Sequence, residues 1–255
     1  IRVVEVGTGA VAPEITRLLG VLGADVIKLE SMSQIDFMRL QGPNKESSAG
    51  WSSSNRNKRS VQLNLKPEGG RQIALRLAKQ ADIIVENNTR GVMERLGLGY
   101  QALSKNNPSL VYLSSQAFGG TGRSSGYGGF GPTNQAVSGT TYLWNHPGED
   151  KPEGVQAIHP DHLLGRMGVL AAVAALDEAR RSGSGQHIDL GQAEFAIACI
   201  AEAFIESGVT GADVEARGNE HQLGAPHGVF PCSGDDEWIA ITVESDEQWQ
   251  HLKKI

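Results

Sequence analysis

IRVVEVGTGAVAPEITRLLGVLGADVIKLE, residues 1–30, is the stretch on which the fold turns. Ile1 to Val6 is β-branched and apolar without alternation, the pattern of a strand buried on both faces. Pro13 then opens a helix, where its fixed φ suits the first turn, and Ile15, Leu18, Leu19 and Leu22 fall on one side. Asp25 to Glu30 returns as a second strand. A strand, a helix and a strand in this order predict a parallel α/β sheet.

The same alternation continues outward. Ser60 to Leu65 reads as a strand, Pro67 to Gln80 as a helix carrying Ile73, Leu75, Leu77 and Ala78, and Asp82 to Glu86 as a strand. Asn106, Asn107 and Pro108 break the next helical stretch before the strand Leu110 to Ser114. Gly119 to Gly131 is a glycine-rich loop without periodicity, suited to a linker or a lid. A long apolar helix runs from Asp161 through Leu163, Leu164, Val169 and Leu170 to about Arg181 and stops at Gly183 and Gly185. Gln186 to Leu190 follows as a strand, and after a loop-like stretch Trp238 to Val243 is another.

The fold class expected is α/β, a parallel sheet flanked by helices, with the beginning of a second, smaller α+β domain. Residues 1–217 are assigned to the large domain and 218–255 to the start of the small one. The chain begins inside a strand and stops inside a helix opened by Ser245, with Gln248 three residues on in a capping-box pattern. Such ends predict a segment of a longer protein.

Composition narrows the function. At 255 residues, 39% hydrophobic and 20% charged, the chain can bury a full core. Its 23 basic and 29 acidic side chains leave a net charge of -6, which disfavours nucleic acid as a partner and requires any anion site to be local. The 2 cysteines, Cys199 and Cys232, lie far apart and outside any C-x-x-C pattern, so neither a disulfide framework nor a metal site is expected. The longest apolar run, Met167 to Leu176, is too short to span a bilayer. A soluble, cytoplasmic protein without a membrane partner is the expectation.

Three local features bear on chemistry. Gly7, Gly9 and Ala12 fit G-x-G-x-x-A at a strand-to-helix turn, and Glu30 ends the second strand where a ribose-binding acid would sit, which keeps an NAD(P)-dependent oxidoreductase open. The physical content of such a turn is narrower: glycines let backbone N–H groups approach an anion at a helix N-terminus. Arg56, Lys58 and Arg59 crowd positive charge before a strand, with Lys66 after it, which suits a nucleotide phosphate or simply a solvated turn. Asp161 follows Pro160 at the start of the long helix. Taken alone it reads as a helix cap; the functional reading is an ionised carboxylate aimed into the crevice as an attacking group.

Together the stretches LGADVIKLE (22–30), NRNKRS (55–60) leading into LNLK, and ADIIVEN followed by GVMERLGLGY (81–100) resemble the family III CoA-transferases. NPSLVYLSS, QAVSG (135–139), the D-x-x-x-G of Asp161 to Gly165, and GSGQHIDL (183–190) extend the likeness over essentially the whole chain. That group includes formyl-CoA and carnitine CoA-transferases and, as a branch, the methylacyl-CoA racemases. The resemblance implies a Rossmann-like sheet whose first turn cradles coenzyme A, and an interlocked homodimer of longer chains. It implies Asp161 as the catalytic carboxylate that attacks an acyl-CoA and passes coenzyme A to an organic acid through a covalent aspartyl intermediate. Coenzyme A contacts fall, by position, on the backbone near Gly9 and Val11, on Leu63 and Lys66, on Asn87 and Asn88, and on Val92 and Arg95, with Lys66 and Arg95 as phosphate partners.

Departures are equally specific. Ala10 stands where formyl-CoA transferase has a glutamine, Ser31 where it has a coenzyme A-binding arginine, and Asn88 where it has a phenylalanine. The racemase branch carries a histidine where this chain has Gly129, Phe130 and Gly131, so an acyl-CoA racemase or isomerase is disfavoured. A noncatalytic CoA-binding subunit remains a third alternative, against which the retention of Asp161 argues.

Overall fold

The structure, a computed structural model, describes residues 1–149, 151, 158–221 and 224–255. The elements in chain order are β1 (Arg2–Val6), α1 (Val11–Val21), β2 (Asp25–Glu30), a 3-10 turn (Phe37–Gln41), α2 (Ala49–Asn55), β3 (Lys58–Gln62), α3 (Glu68–Ala78), β4 (Ile83–Glu86), α4 (Val92–Arg95) and α5 (Tyr100–Leu103). They continue with β5 (Val111–Gln116), α6 (Gly131–Ser138), α7 (Thr140–Leu143), α8 (His159–Ser182), β6 (His187–Gly191), α9 (Gln192–Ala198), α10 (Ala201–Thr210), β7 (His227–Pro231), β8 (Trp238–Thr242) and α11 (Asp246–Leu252). The chain folds as two compact units: Ile1–Ser138 with Ile158–Cys199, and Gly139–Ala157 with Ile200–Ile255.

The first unit is built on a six-stranded sheet in the order β3-β2-β1-β4-β5-β6, parallel throughout. Strand order reverses between β1 and β4, so their carboxyl ends flank the crevice that this topology provides. Successive side chains of the central strands enter opposite cores. Val3, Ile83, Val85, Val111 and Leu113 pack with α1 and α8 on one face, whereas Val4, Ile27, Ile84 and Tyr112 meet Ala74, Met93 and Leu98 on the other. Burial on both faces is why these strands read as continuous apolar runs.

Some expectations need adjusting. Leu22, assigned to the buried side of α1, is 70% exposed and caps the helix end instead. β3 starts two residues early, at Lys58, because as an edge strand it buries little and its polar sequence hides its start. α8 starts at His159 and ends on Gly183, whose φ of 76° is the left-handed cap that glycine supplies. The loop read as Gly119 to Gly131 gives way to helix at Gly131.

Packing of α8 against α1 positions the site. A Cβ on Gly165 would lie 2.7 Å from Glu14 Cγ, and one on Gly168 2.6 Å from Ile15 Cδ1. The two glycines thus let α8 ride directly on α1, in parallel. Both helices therefore begin at the carboxyl edge of the sheet, and Asp161, one turn before Gly165, comes abreast of the turn that opens α1.

Under the same edge lies a buried ionic cluster. Glu5 Oε1 accepts from Lys28 Nζ at 2.7 Å, and Glu5 Oε2 accepts from Lys58 Nζ at 2.9 Å and Thr16 Oγ1 at 2.6 Å. Burial alone would raise the Glu5 carboxyl, but the two ammonium groups overcome it and hold the pKa at about 2. Lys58, from the basic run, is therefore turned inward, and desolvation pushes it down to about 8.

In the second unit β7 and β8 form an antiparallel hairpin pairing Val229 with Ala240. Ser245 caps α11 by accepting from the Gln248 N–H at 3.3 Å, and Gln248 Oε1 accepts the Glu244 N–H at 2.8 Å. Among the described residues no helix is long and apolar enough to cross a membrane.

Candidate active site

At the carboxyl ends of β1 and β2 opens a crevice of about 260 Å³. Its walls are the β1 end with Gly7 and Thr8, the β2 end with Glu30 and Ser31, Asp36, the segment Leu63 to Lys66, and Asn88, Val92 and Arg95. Five of the positions nominated for coenzyme A, namely Leu63, Lys66, Asn88, Val92 and Arg95, thus come together from two separate connections, the one after β3 and the one after β4. Lys66 and Arg95 are exposed, and among the described residues neither has an ion-pair partner, so both charges are available to an anion.

Gly9, Val11 and Asn87 sit beside the crevice. The Gly9 N–H donates to Asp36 Oδ1 at 3.2 Å, and the Thr8 N–H donates to Asn87 Oδ1 at 3.0 Å while Asn87 Nδ2 donates to Thr8 O at 2.7 Å. Two of the amides of this turn, those of Thr8 and Gly9, are thereby bound by side chains. Val11 is 1% exposed, its side chain part of the core. A φ of 73° at Gly9, with Phe37 Cζ 2.9 Å from where a Cβ would stand, leaves glycine as the residue that fits.

The acids at the crevice are engaged as well. Glu30 accepts from Arg39 Nε at 3.1 Å and Nη2 at 3.0 Å and from Ser60 Oγ at 2.6 Å, so its carboxylate is not open to a ribose. Glu86, at the end of β4, is 4% exposed; burial pushes its carboxyl up to about 7, against N–H donation from Asn88 and Gln116. Asn88 Nδ2 donates to Val6 O at 2.8 Å, tying this wall to β1.

A ridge of aromatic rings connects the crevice to Asp161. Phe37, over Gly9, meets Phe130 edge-on at 5.8 Å between ring centroids. Phe130 precedes Gly131, where a Cβ would stand 2.6 Å from Asp161 Oδ2 and 2.3 Å from Ile158 Cγ2. The glycine leaves room for the carboxylate.

Asp161 itself is the third residue of α8; the cap position belongs to Ile158, and no side chain caps the helix. The cap role that its sequence position suggests is therefore not the one it plays. The residue is 4% exposed, and its Oδ1 has no hydrogen-bond partner. Burial pushes its carboxyl up to about 6, and a hydrogen bond from the Asn134 side chain works the other way. His162 points towards Glu14, at 4.0 Å, which leaves no His/Asp relay on that side.

Behind the carboxylate lie residues the sequence reading did not single out. Asn134 Nδ2 donates to Gln192 Oε1 at 2.6 Å, and Gln192 Nε2 donates to Ser115 Oγ at 3.3 Å. No spacing signal joins positions 134 and 192; helices α6 and α9 bring them together. Among the described residues no group of His, Cys, Asp and Glu has the makings of a metal site.

The sequence matches the family described as CoA-transferase family III over residues 1–255. It is 32% identical over 255 residues to the succinyl-CoA–L-malate CoA-transferase alpha subunit of Chloroflexus aurantiacus, across 99% of this chain and 59% of that protein. With the acetyl-CoA:oxalate CoA-transferase of Acetobacter aceti it shares 36% identity over 231 residues, 87% of this chain and 59% of the relative. A crystal structure of a CAIB/BAIF family protein from Brucella suis superposes with a TM-score of 0.91 at 31% identity, covering 100% of this chain and 68% of that one. The chain thus spans less than two thirds of the length of these two curated relatives.

Proposed function

This chain belongs to CoA-transferase family III, and from that premise we propose that the protein moves coenzyme A from an acyl-CoA donor to a carboxylic acid, with Asp161 as the group that becomes acylated. The observation carrying this reading is the state of Asp161. A first-turn aspartate ordinarily ties its oxygens to its own helix; this one keeps its buried Oδ1 without a partner, while Gly131 leaves room for its Oδ2. A desolvated carboxylate is a stronger nucleophile than a solvated one, and ionisation near pH 6 leaves it charged at neutral pH.

The chemistry balances without an outside reagent. An Asp161 oxygen attacks the thioester carbonyl carbon, the carbon–sulfur bond breaks, and coenzyme A leaves as a thiolate from a mixed anhydride. The thiolate attacks the aspartyl carbonyl, expelling the donor as its carboxylate and leaving an aspartyl thioester. The acceptor carboxylate attacks that thioester to form a second anhydride, and the returning thiolate takes the acceptor acyl group and frees Asp161. Each intermediate keeps the activation of the original thioester.

In this reading Lys66 and Arg95 hold phosphates of coenzyme A, and Leu63, Asn87, Asn88, Val92 and the backbone near Gly9 and Val11 are its further contacts. The pantetheine arm crosses the Phe37–Phe130 ridge towards Asp161, and the Gly119 to Gly131 segment lies near the acyl group. The organic acid acceptor, a cytoplasmic location, an interlocked homodimer and a division into residues 1–217 and 218–255 belong to the same proposal. Replacing Asp161 by Ala in the full-length protein tests it: transfer between a CoA thioester and a free acid falls to background while coenzyme A still binds. Turnover within tenfold of the parent refutes the assignment. The parent's kcat should fall on the acid side, with a midpoint near pH 6, because protonation removes the attacking lone pair.

A further inference from the structure

Where β4 ends, a buried carboxylate ties three strands to one wall of the crevice. Glu86 Oε2 accepts from the Asn88 backbone N–H at 2.7 Å and from Asn88 Nδ2 at 3.2 Å, and Glu86 Oε1 accepts from Gln116 Nε2, on β5, at 3.1 Å. Gln116 Nε2 also donates to Asn88 O at 3.3 Å, and Asn88 Nδ2 donates to Val6 O, on β1, at 2.8 Å. A side-chain amide carries two N–H donors at one end and a carbonyl acceptor at the other. Val6 O can only accept, so the NH2 end of Asn88 must face it whatever the charge on Glu86. Both N–H groups of that end are then spent, and Asn88 Oδ1 has no hydrogen-bond partner among the described residues. Asn88 lines the crevice, whereas Glu86 is buried and does not.

We infer that Glu86 is a positioning residue for the crevice: with the Val6 carbonyl it fixes the Asn88 carboxamide, so that this wall offers a carbonyl acceptor and takes an N–H donor of the ligand, an amide or an aromatic amine. Asn87 is no substitute, since its Oδ1 already accepts from the Thr8 N–H at 3.0 Å. The inference rests on the crevice being the coenzyme A site. Coenzyme A carries both kinds of donor, the amino group of its adenine and the amides of its pantetheine arm.

Burying a carboxylate at a strand end costs free energy that an apolar residue would not. Here three N–H groups compensate it, two of them from Asn88. A purely structural role has a different signature from a positioning one. If the hydrogen bonds of Glu86 only hold strand ends together, a change there lowers stability and weakens every ligand by the same factor. If they aim Asn88, the loss falls on ligands that carry the donor, because an analogue without it has no bond to lose.

The test measures, by titration calorimetry on the full-length protein, the affinity for coenzyme A, for its analogue with hydrogen in place of the adenine amino group, and for an analogue with esters in place of the pantetheine amides. The parent, Asn88→Leu and Glu86→Gln are compared, with thermal melting alongside. The parent is expected to bind one of the two analogues about tenfold more weakly than coenzyme A, and which one it is identifies the donor. Asn88→Leu should bind that analogue and coenzyme A within about twofold of each other. Glu86→Gln, which sets an NH2 group against the donors of Asn88 or Gln116, should lower the ratio at least about threefold. If Glu86→Gln does not fold, Gln116→Leu, which takes the donor from Glu86 Oε1, replaces it with the same fall expected. Parent affinities that agree within about twofold for all three ligands, or a ratio that survives unchanged in a folded variant, overturn the inference. A parent that binds none of the three refutes the crevice assignment itself, and the inference falls with it.

Discussion

Single side chains carry the chemistry, and their sites differ in how much water they see. Lys66 and Arg95 stand exposed at the crevice rim, where each charge works at high dielectric and is screened by salt. Replacing either by Ala should weaken coenzyme A binding by roughly tenfold, about 1.4 kcal/mol. Part of that loss should vanish at high salt, and titration calorimetry at two ionic strengths reads both effects; unchanged affinity in both variants would remove them from the phosphate site. The sequence singles out Asp161 by its D-x-x-x-G block, but not the environment in which the carboxylate is buried. Asn134, Gln192 and Gly131 sit in unremarkable polar and glycine-rich sequence, and their significance arises only when α6, α8, α9 and β5 converge. The basic run misleads for the opposite reason: Lys58 carries the charge a phosphate site wants and buries it against Glu5.

At the scale of elements, wherever burial is complete the sequence speaks clearly. β1, β2 and β4 lie within a residue of where their apolar runs put them, since both faces demand apolar side chains. α2 and α6 went unread because short helices rich in Ser, Asn, Gln and Gly lack a full apolar stripe. The crevice wall offers a matched pair of tests in α3. A Cβ on Gly70 would stand 1.8 Å from the Asn64 backbone oxygen, whereas one on Gly69 would meet nothing within 4 Å. Gly70→Ala must therefore displace the segment that bears Leu63 and Lys66, lowering stability by about 1–3 kcal/mol and weakening coenzyme A binding. Gly69→Ala should leave binding unchanged and gain up to about 1 kcal/mol of helix stability. Thermal melting with coenzyme A titration checks both, and equal behaviour of the two variants would contradict the packing described.

For the whole molecule, a parallel sheet of order β3-β2-β1-β4-β5-β6 gathers turn residues from distant parts of the chain at one edge. Exposed positive charge at Lys66 and Arg95 and a buried carboxylate at Asp161 thus stand on separate elements. The net charge of -6 does not preclude a local site for an anion, since Lys66 and Arg95 both line the crevice and are exposed. The most direct measurement is mass spectrometry of the full-length protein after brief exposure to acyl-CoA donors, with the Asp161 peptide sequenced. Asp161 should carry an acyl or CoA adduct that hydroxylamine removes and an acceptor acid discharges. An unmodified Asp161 during active turnover, or an adduct on another residue, would contradict the account.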